Sequence, residues 1–541
     1  MITAETILKN GAVLTMDAKQ SRSDAVAIGG GRILALGKEA EELKGPKTSV
    51  IDVGGRTVIP GLFDSHIHTL GGALNELAVS LENAKSVADV QAAFAARVKT
   101  TPPGQWIQGG SGWHESQLKE GRMPTRHELD AVTPNNPIFI RRGGHVAVAN
   151  SAAFKIAGIT KDTKDPHDGV IARDPATGEP NGMLVERAAF TLVLKHLPKP
   201  SREEYVEGLK KFTAKLNSKG VTATLEPGVS LDELAAYMEL WRRKAMTTRV
   251  RILQRVACLD DVSGLTSVLA PDFGDDWLHI GGFKFMADGG VEAAFMHEPY
   301  QVIEGEQNDP KFLGKMVLPP GGLDELRQMF EAAASRGWQM QVHLVGDATI
   351  DTVVDLVEQV AAKYPVGDMR WTMMHVFLPS DRALAKMKRL GLRATVQDHP
   401  VKLGHNMLRY WGEPRAARSI PVKSIVAAGI PTGGGTDAPV VDWNPFESIW
   451  WMTTRKVFAQ GGVRVLGPEE AIDRMTALRL YTIGSAETCF MDDRVGTLTP
   501  GKLADIAVLS ADPLTVPEDE MRDMCANLTM VGGRIVHRDG L

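Results

Sequence analysis

The sequence predicts an α/β protein: a (β/α)8 barrel carrying a β-sandwich built from both termini, with an inserted α+β domain over the barrel mouth. Three observations lead there. Apolar, strand-like runs alternate with helix-like stretches through most of the 541 residues. Five short segments bearing ligand-type side chains lie at or just past the ends of such runs: His66-Ile67-His68, Lys284, His343, His375 and Asp437. Both chain ends share a texture of short strands joined through paired glycines. A barrel gathers the C-terminal ends of all its strands at one mouth, so residues distant in sequence meet there.

Residues 1–58 read as the first part of the sandwich. In Ile7-Leu8-Lys9-Asn10-Gly11-Ala12-Val13-Leu14 the Asn-Gly pair between apolar residues is a hairpin signal. Residues 25–28, the glycines at 29–31 and residues 32–36 repeat the theme. Residues 506–509 and 530–536 repeat it again within 491–541, so the two ends are expected to fold together; two unrelated β appendages are the alternative. Between them, 59–490 is expected to form the barrel, with strands at 57–63, 221–225, 250–254, 281–285, 339–342, 371–374, 392–396 and 430–433. Helix-like segments include 324–336, 350–363 and 380–390, the last opening on the Ser380-Asp381 capping pattern. From 71 to 200 the rhythm breaks: a helix near 86–99, Gly- and Trp-rich loops, and a strand-like 137–141. So long a connection is expected to be an inserted domain. Its Trp106, Trp113, Phe139 and Phe154 argue against a disordered insertion.

Composition narrows the function classes. Hydrophobic content of 43% and charged content of 23% fit a soluble globular chain. The net charge of −5 leaves no electrostatic footprint for nucleic acid, and no Lys/Arg-dense arm suggests a membrane surface. Cys258, Cys489 and Cys525 have neither disulfide nor structural-zinc spacing, as expected of a reducing compartment. The N-terminus lacks the basic and apolar regions of a leader, and no run approaches the roughly 18 apolar residues of a membrane helix. A cytoplasmic protein is expected, acting on a small molecule, with a dimer as the expected assembly.

The five segments carry the chemistry. The 14 histidines would give about 0.4 His-x-His pairs by chance, so His66 and His68 alone are weak evidence. Alternating on a strand, they would point to one side, where imidazole is a common zinc ligand. Lys284 follows Ile280-Gly281-Gly282-Phe283, and an unpaired ammonium in a core strand is costly. It needs a carboxylate partner, for which Asp288 is the candidate, or chemical alteration. His343 and His375 each close an apolar run, and Asp347 after Gly346 is a candidate cap for the next helix. Asp437 follows Gly433-Gly434-Gly435-Thr436, where the glycines permit close backbone approach and a carboxylate can bind metal and move a proton.

The run Pro60-Gly61-Leu62-Phe63-Asp64-Ser65-His66-Ile67-His68 resembles the first-strand signature of the amidohydrolase superfamily. Trp113-His114-Glu115-Ser116, Pro124-Thr125-Arg126, Gly144-His145, Asn150-Ser151, Ala287-Asp288-Gly289 and Gly435-Thr436-Asp437-Ala438-Pro439 sharpen the resemblance to its YtcJ-like, or amidohydrolase-3, group, which includes N-substituted formamide deformylases. It covers essentially the whole chain. The resemblance implies a distorted TIM barrel with His66, His68 and Asp437 on one divalent ion and His343 and His375 on a second. Zn2+ is the expected metal, and Lys284, carboxylated by CO2, would bridge the ions. A mononuclear site with unmodified lysine stays open. A metal-activated hydroxide would attack an amide or related C–N substrate, with Asp437 taking the water's proton and returning it to the departing amine.

His145 matches a position expected to reach the substrate and to assist catalysis; a surface-loop histidine is its alternative. Trp113 and His399 are weaker pocket candidates, set against plain packing. Gly290-Val291-Glu292-Ala293-Ala294-Phe295 departs from the group's small turn and is expected to border the substrate, with Glu292 in contact. The aromatic insertion suggests an apolar or aryl substrate group. Two other functions stay open: a catalytically silent metal-binding scaffold and a metal-dependent isomerase or lyase. Ser111 in Gly109-Gly110-Ser111-Gly112 lacks the strand-turn-helix context of a nucleophile elbow.

Overall fold

The computed structural model describes residues 3–167, 169–303, 309–459 and 462–541. Eight parallel strands form the barrel: β1 (Leu62–Asp64), β2 (Val221–Val229), β3 (Arg249–Arg255), β4 (Leu278–Met286), β5 (Gln339–Leu344), β6 (Thr372–His375), β7 (Arg393–Gln397) and β8 (Thr432–Gly435). Each lies where an apolar run was expected. The seam between β8 and β1 is closed differently from the other seven. The Asp64 carboxylate accepts from the Thr436 hydroxyl at 2.7 Å and from its N–H at 3.1 Å, and Ser65 N–H donates to Gly434 O at 3.0 Å. This approach needs glycine. A Cβ on Gly434 would lie 2.6 Å from Tyr481 Cδ2, and one on Gly435 would lie 2.7 Å from His66 N.

The run expected as one strand at 57–63 is two. Thr57–Pro60 belongs to the sandwich, and the chain crosses into β1 at Gly61, where a Cβ would sit 2.2 Å from the Thr222 side chain. Thr57–Pro60 pairs antiparallel with Ile506–Leu509, matching Ile506 to Pro60 and Val508 to Val58, so both chain ends share one six-stranded sheet. A second, four-stranded sheet packs on it through Leu8, Val26, Ile28 and Ile33 against Val58, Val508, Leu528 and Met530. The Asn10-Gly11 hairpin does not form. Thr6–Lys9 and Ala12–Leu14 lie in different sheets, and Asn10, at φ 57°, turns the chain from one to the other. The Gly30-Gly31 and Gly532-Gly533 turns do close hairpins, all four residues at positive φ, and they pack together: a Cβ on Gly31 would lie 3.1 Å from Gly532 O.

A buried ion pair ties sandwich to barrel. Arg249 of β3 donates to both Asp505 oxygens at 2.7 and 2.8 Å, and each residue is buried. Removing one partner of a buried pair leaves an uncompensated charge, so Asp505→Ala is expected to lower unfolding free energy by about 3–5 kcal/mol. Urea denaturation checks this against Asp493→Ala, whose exposed pair with Arg494 is worth at most about 1 kcal/mol.

The insertion has a five-stranded sheet of its own, ordered Val170–Arg173, Pro180–Val185, Val146–Ala149, Ile138–Arg142 and Ile107–Gly109. Trp113 packs in one of its apolar clusters, Phe139 and Phe154 in the other, and Trp106 lies against the second. These aromatics are the insertion's core, which removes the compositional argument for an aryl substrate. Ser86 and Ser380 cap their helices, accepting from Asp89 N–H and Ala383 N–H. Gly346 rather than Asp347 is the N-cap: Asp347 is the first residue of helix Asp347–Ala361, and its carboxylate accepts from the first-turn Ala348 N–H and from His297 N–H, both at 2.8 Å. No helix among the described residues is long and apolar enough to cross a membrane.

Candidate metal centre

Asp437 is the hub. One carboxylate oxygen, Oδ1, lies 3.3 Å from His66 Nε2 and 3.2 Å from His68 Nε2; the other, Oδ2, lies 2.8 Å from His399 Nε2. His375 packs on His66 with ring centroids 4.6 Å apart, and His343 packs on His375 at 4.7 Å. Single ligand atoms of His66, His375 and Asp437 all fall within 4.8 Å of one another. Of the other expected ligands, His68 reaches this trio through Asp437 and His343 through His375.

The histidine pair differs in placement from the expectation. Strand β1 ends at Asp64, so His66 and His68 lie in the following turn, His68 as the residue before helix Thr69–Asn75. They reach Asp437 because two loops zip together: Asp437 N–H donates to His66 O and His68 N–H to Ala438 O, both at 2.7 Å. His375 and Asp437 adopt positive φ of 71° and 58°, conformations that non-glycine residues hold mainly where surrounding structure enforces them.

The donor set fits a divalent cation. Both ring nitrogens of His66 and Asp437 Oδ1 are buried without a hydrogen bond, a cost that a ligand would relieve. Gln397 Oε1 accepts from His375 Nδ1 at 2.7 Å, which leaves Nε2 as the lone-pair atom, the usual arrangement for a ligating imidazole. Burial drives the His66 pKa down to about 3 against the pull of Asp437, and with neighbouring positive groups it holds His343 and His375 well below their ordinary value. Neutral rings are what a metal takes. Burial alone would raise the Asp437 carboxyl, yet the adjacent His66 and His68 rings and the hydrogen bond from His399 keep it well below the usual range.

Lys284 is buried with its Nζ 2.7 Å from the Met374 sulfur, and burial pushes its pKa down to about 7. Asp288 is not its partner. That carboxylate accepts from Val345 and Gly346 N–H at 3.1 and 2.8 Å, pinning the start of the next helix. Among the described residues Lys284 has no ion pair.

The sequence model of the amidohydrolase family matches residues 49–537. The chain belongs to the amidohydrolase family. Over 98% of its length it is 31% identical to Protein LONG AFTER FAR-RED 3 of Arabidopsis thaliana, 91% of which is covered. It is 28% identical to the N-substituted formamide deformylase of Arthrobacter pascens, across 98% of this chain and 97% of that one. An uncharacterized metal-dependent hydrolase from Pyrococcus horikoshii OT3, solved as a crystal structure, superposes with a TM-score of 0.74 at 26% identity, over 95% of this chain and 99% of that one.

Around this amidohydrolase centre sit residues that sequence reading passed over. Glu226 of β2 accepts from Leu70 N–H at 2.9 Å and from the Tyr237 hydroxyl, and its other oxygen lies 3.9 Å from His68 Nδ1. Its signal was a carboxylate at the end of an apolar strand. Gln397, just past the seventh apolar run, carried a similar signal. Glu186 carried none: at φ 65° it places its N–H 2.6 Å from His145 O and its carboxylate 2.9 Å from His145 Nδ1.

His145 stands over the mouth, its ring centroid 6.2 Å from His343. Gly290 N–H also approaches Nδ1, at 3.1 Å, but the charge-assisted bond to Glu186 is the stronger and keeps the proton on Nδ1. Burial opposes the charged ring, and Glu186 overcomes it, raising the His145 pKa to about 9. The pair therefore favours the folded state below the ordinary histidine pKa of ~6.5 and loses that contribution as pH rises through about 9. Glu186→Gln is expected to return the His145 imidazole titration, followed by NMR, toward the ordinary value or below it.

Of the remaining candidates, Glu292 and Trp113 lie apart from the ligands. Glu292 is buried and accepts from Arg142 at 2.5 Å, while Arg142 also pairs with Glu115 at 2.9 Å. Trp113 donates from Nε1 to Arg141 O at 3.0 Å inside the insertion. His399 faces Asp437 directly.

Proposed function

We propose that the chain is a metal-dependent hydrolase of an amide or related C–N bond in a small molecule, with Asp437 as the proton carrier. The carrying observation is the division of labour within one carboxylate: Oδ1 is turned to the ligand histidines, and Oδ2 is held by His399. When bound, a divalent ion supplies Lewis-acid polarisation of the carbonyl and acidification of water. His66, His68 and Asp437 Oδ1 would hold one ion and His343 and His375 a second, with Zn2+ favoured by the imidazole-rich set. Asp437 Oδ2 would take the proton of the attacking water and give it to the departing nitrogen, with His399 orienting that oxygen throughout. His145 Nε2, projecting over the mouth, would donate to the carbonyl oxygen as it gains charge. The deformylase relative acts, by its name, on N-substituted formamides, which supports the C–N class.

Lys284 would complete a two-ion centre as a carbamate. Its free amine attacks CO2, forming the N–C bond as one C–O π bond opens and releasing a proton to water, and the product is an anionic oxygen donor where an ammonium has no ion-pair partner among the described residues.

The test combines elemental analysis with turnover of N-formyl and N-acyl compounds in water labelled with heavy oxygen. The expected result is stoichiometric zinc, activity abolished by chelation and restored by Zn2+, and one labelled oxygen in the released acid. Bound metal with no turnover of any amide sinks the hydrolase reading in favour of a scaffold. Conversion without label incorporation sinks it in favour of an isomerase or lyase.

A further inference from the structure

Three arginines border the barrel mouth without adequate counter-charge. Arg141 precedes Arg142 in strand Ile138–Arg142 and so projects from the opposite face of the insertion sheet. Phe139 and Ala147 on that face pack with Ala189 and Phe190 of helix Glu186–Leu194, the helix that begins with Glu186 and Arg187. The tip after this strand reaches the metal loop: a Cβ on Gly143 would lie 3.4 Å from Val440 Cγ1, three residues past Asp437. Arg255 ends β3 on the other side. A Cβ on Gly228 would lie 3.5 Å from Lys284 Cγ and 3.6 Å from Arg255 Nε, so both side chains crowd one glycine beside the centre.

Arg142 is saturated by Glu115 and Glu292. Arg141 is not: its Nε is buried with no partner, and among the described residues neither Arg141 nor Arg187 has an ion pair. Among the described residues Arg255 pairs only with Glu233, 3.9 Å away. Glu186, the other nearby carboxylate, gives one oxygen, Oε2, to His145. Burial, and then the charge of Arg187, push Arg141 down to about 10. A desolvated guanidinium beside a second one is costly in the free protein, and a planar anion bound in a bidentate fork would remove that cost.

We propose that the substrate carries a carboxylate held by Arg141, with Arg187 and Arg255 flanking it, while the scissile amide lies at the metal centre. The substrate class is then N-acyl amino acids or close analogues rather than neutral amides. The inference deepens the amide-hydrolase reading and rests on it for the second half of that statement.

The test uses the zinc-loaded full-length protein and a panel of N-formyl amino acids, each paired with its neutral primary amide. Wild type is expected to favour the acids in kcat/KM by at least about 30-fold, and Arg141→Met to collapse that ratio. Arg187→Met, on an exposed helix position, is expected to reduce the ratio by a smaller factor, and it carries the test if Arg141→Met does not fold. In parallel, N-benzoylglycine and N-benzoylglycinamide are titrated by calorimetry into wild type and both variants. Equal turnover of acids and amides, with a ratio unmoved by either substitution, overturns the carboxylate site and leaves the hydrolase reading standing. Selective binding of N-benzoylglycine that weakens in the variants, with no turnover of any amide, keeps the site and overturns the hydrolase reading.

Discussion

Asp437→Asn is expected to lower kcat by about 10²–10⁴-fold while metal content and KM change little. Asparagine keeps an oxygen where Oδ1 faces His66 and His68, so the centre still assembles. What it lacks is a second oxygen able to carry a proton where Oδ2 meets His399. Water would still be polarised, but its proton would leave to solvent and the amine would depart unprotonated, which raises the barrier in both halves of the reaction. Elemental analysis of the variant separates this outcome from simple loss of metal. Full turnover in a metal-replete Asp437→Asn protein would exclude the carboxylate as proton carrier and move that role to His145 or His399.

Much of the barrel was legible because its strands are short apolar runs separated by amphipathic helices, and side-chain burial enforces that pattern residue by residue. Legibility failed where local rules met long-range contacts. The strand expected at 221–225 runs on through Pro227-Gly228 to Val229 with every residue buried, Gly228 at φ 82°. That early stop hid Glu226. Asn10-Gly11 carries a strong hairpin signal, but the pairing partners of its flanking strands lie elsewhere in the chain, and they decide. The site shows the same split. Ligand-type side chains at strand ends can be picked out from order alone, whereas Glu186 becomes visible only once a left-handed backbone sets it against His145. Trp113 illustrates the opposite error: a large aromatic near a functional motif reads as a pocket wall, and it is instead core of the insertion. Arg141 and Arg187 are ordinary in sequence, and what distinguishes them is that neither meets a counter-ion among the described residues.

The Lys284→Ala protein is expected to bind about half the zinc of wild type and to lose catalysis by a comparably large factor, about 10²-fold or more. The argument begins from cost. A buried ammonium with no carboxylate partner is among the least favourable groups a strand can carry, and among the described residues the Lys284 tip meets only the Met374 thioether. Burial favours the free amine, which is the form that reacts with CO2, and the carbamate so formed would bring an oxygen to each of two ions. Alanine removes that bridge while relieving the desolvation cost, so the variant should be no less stable in its metal-free form even as it loses metal. Intact-mass analysis of wild type, prepared with and without bicarbonate, should show an increment of one CO2 that is absent from Lys284→Ala. Unchanged zinc stoichiometry in the variant, with no mass increment in wild type, would leave Lys284 an unmodified amine beside a single ion. The two-ion arrangement would then be wrong, but the proton-transfer role of Asp437 would not, because that role requires only the ion held by His66, His68 and Asp437 itself.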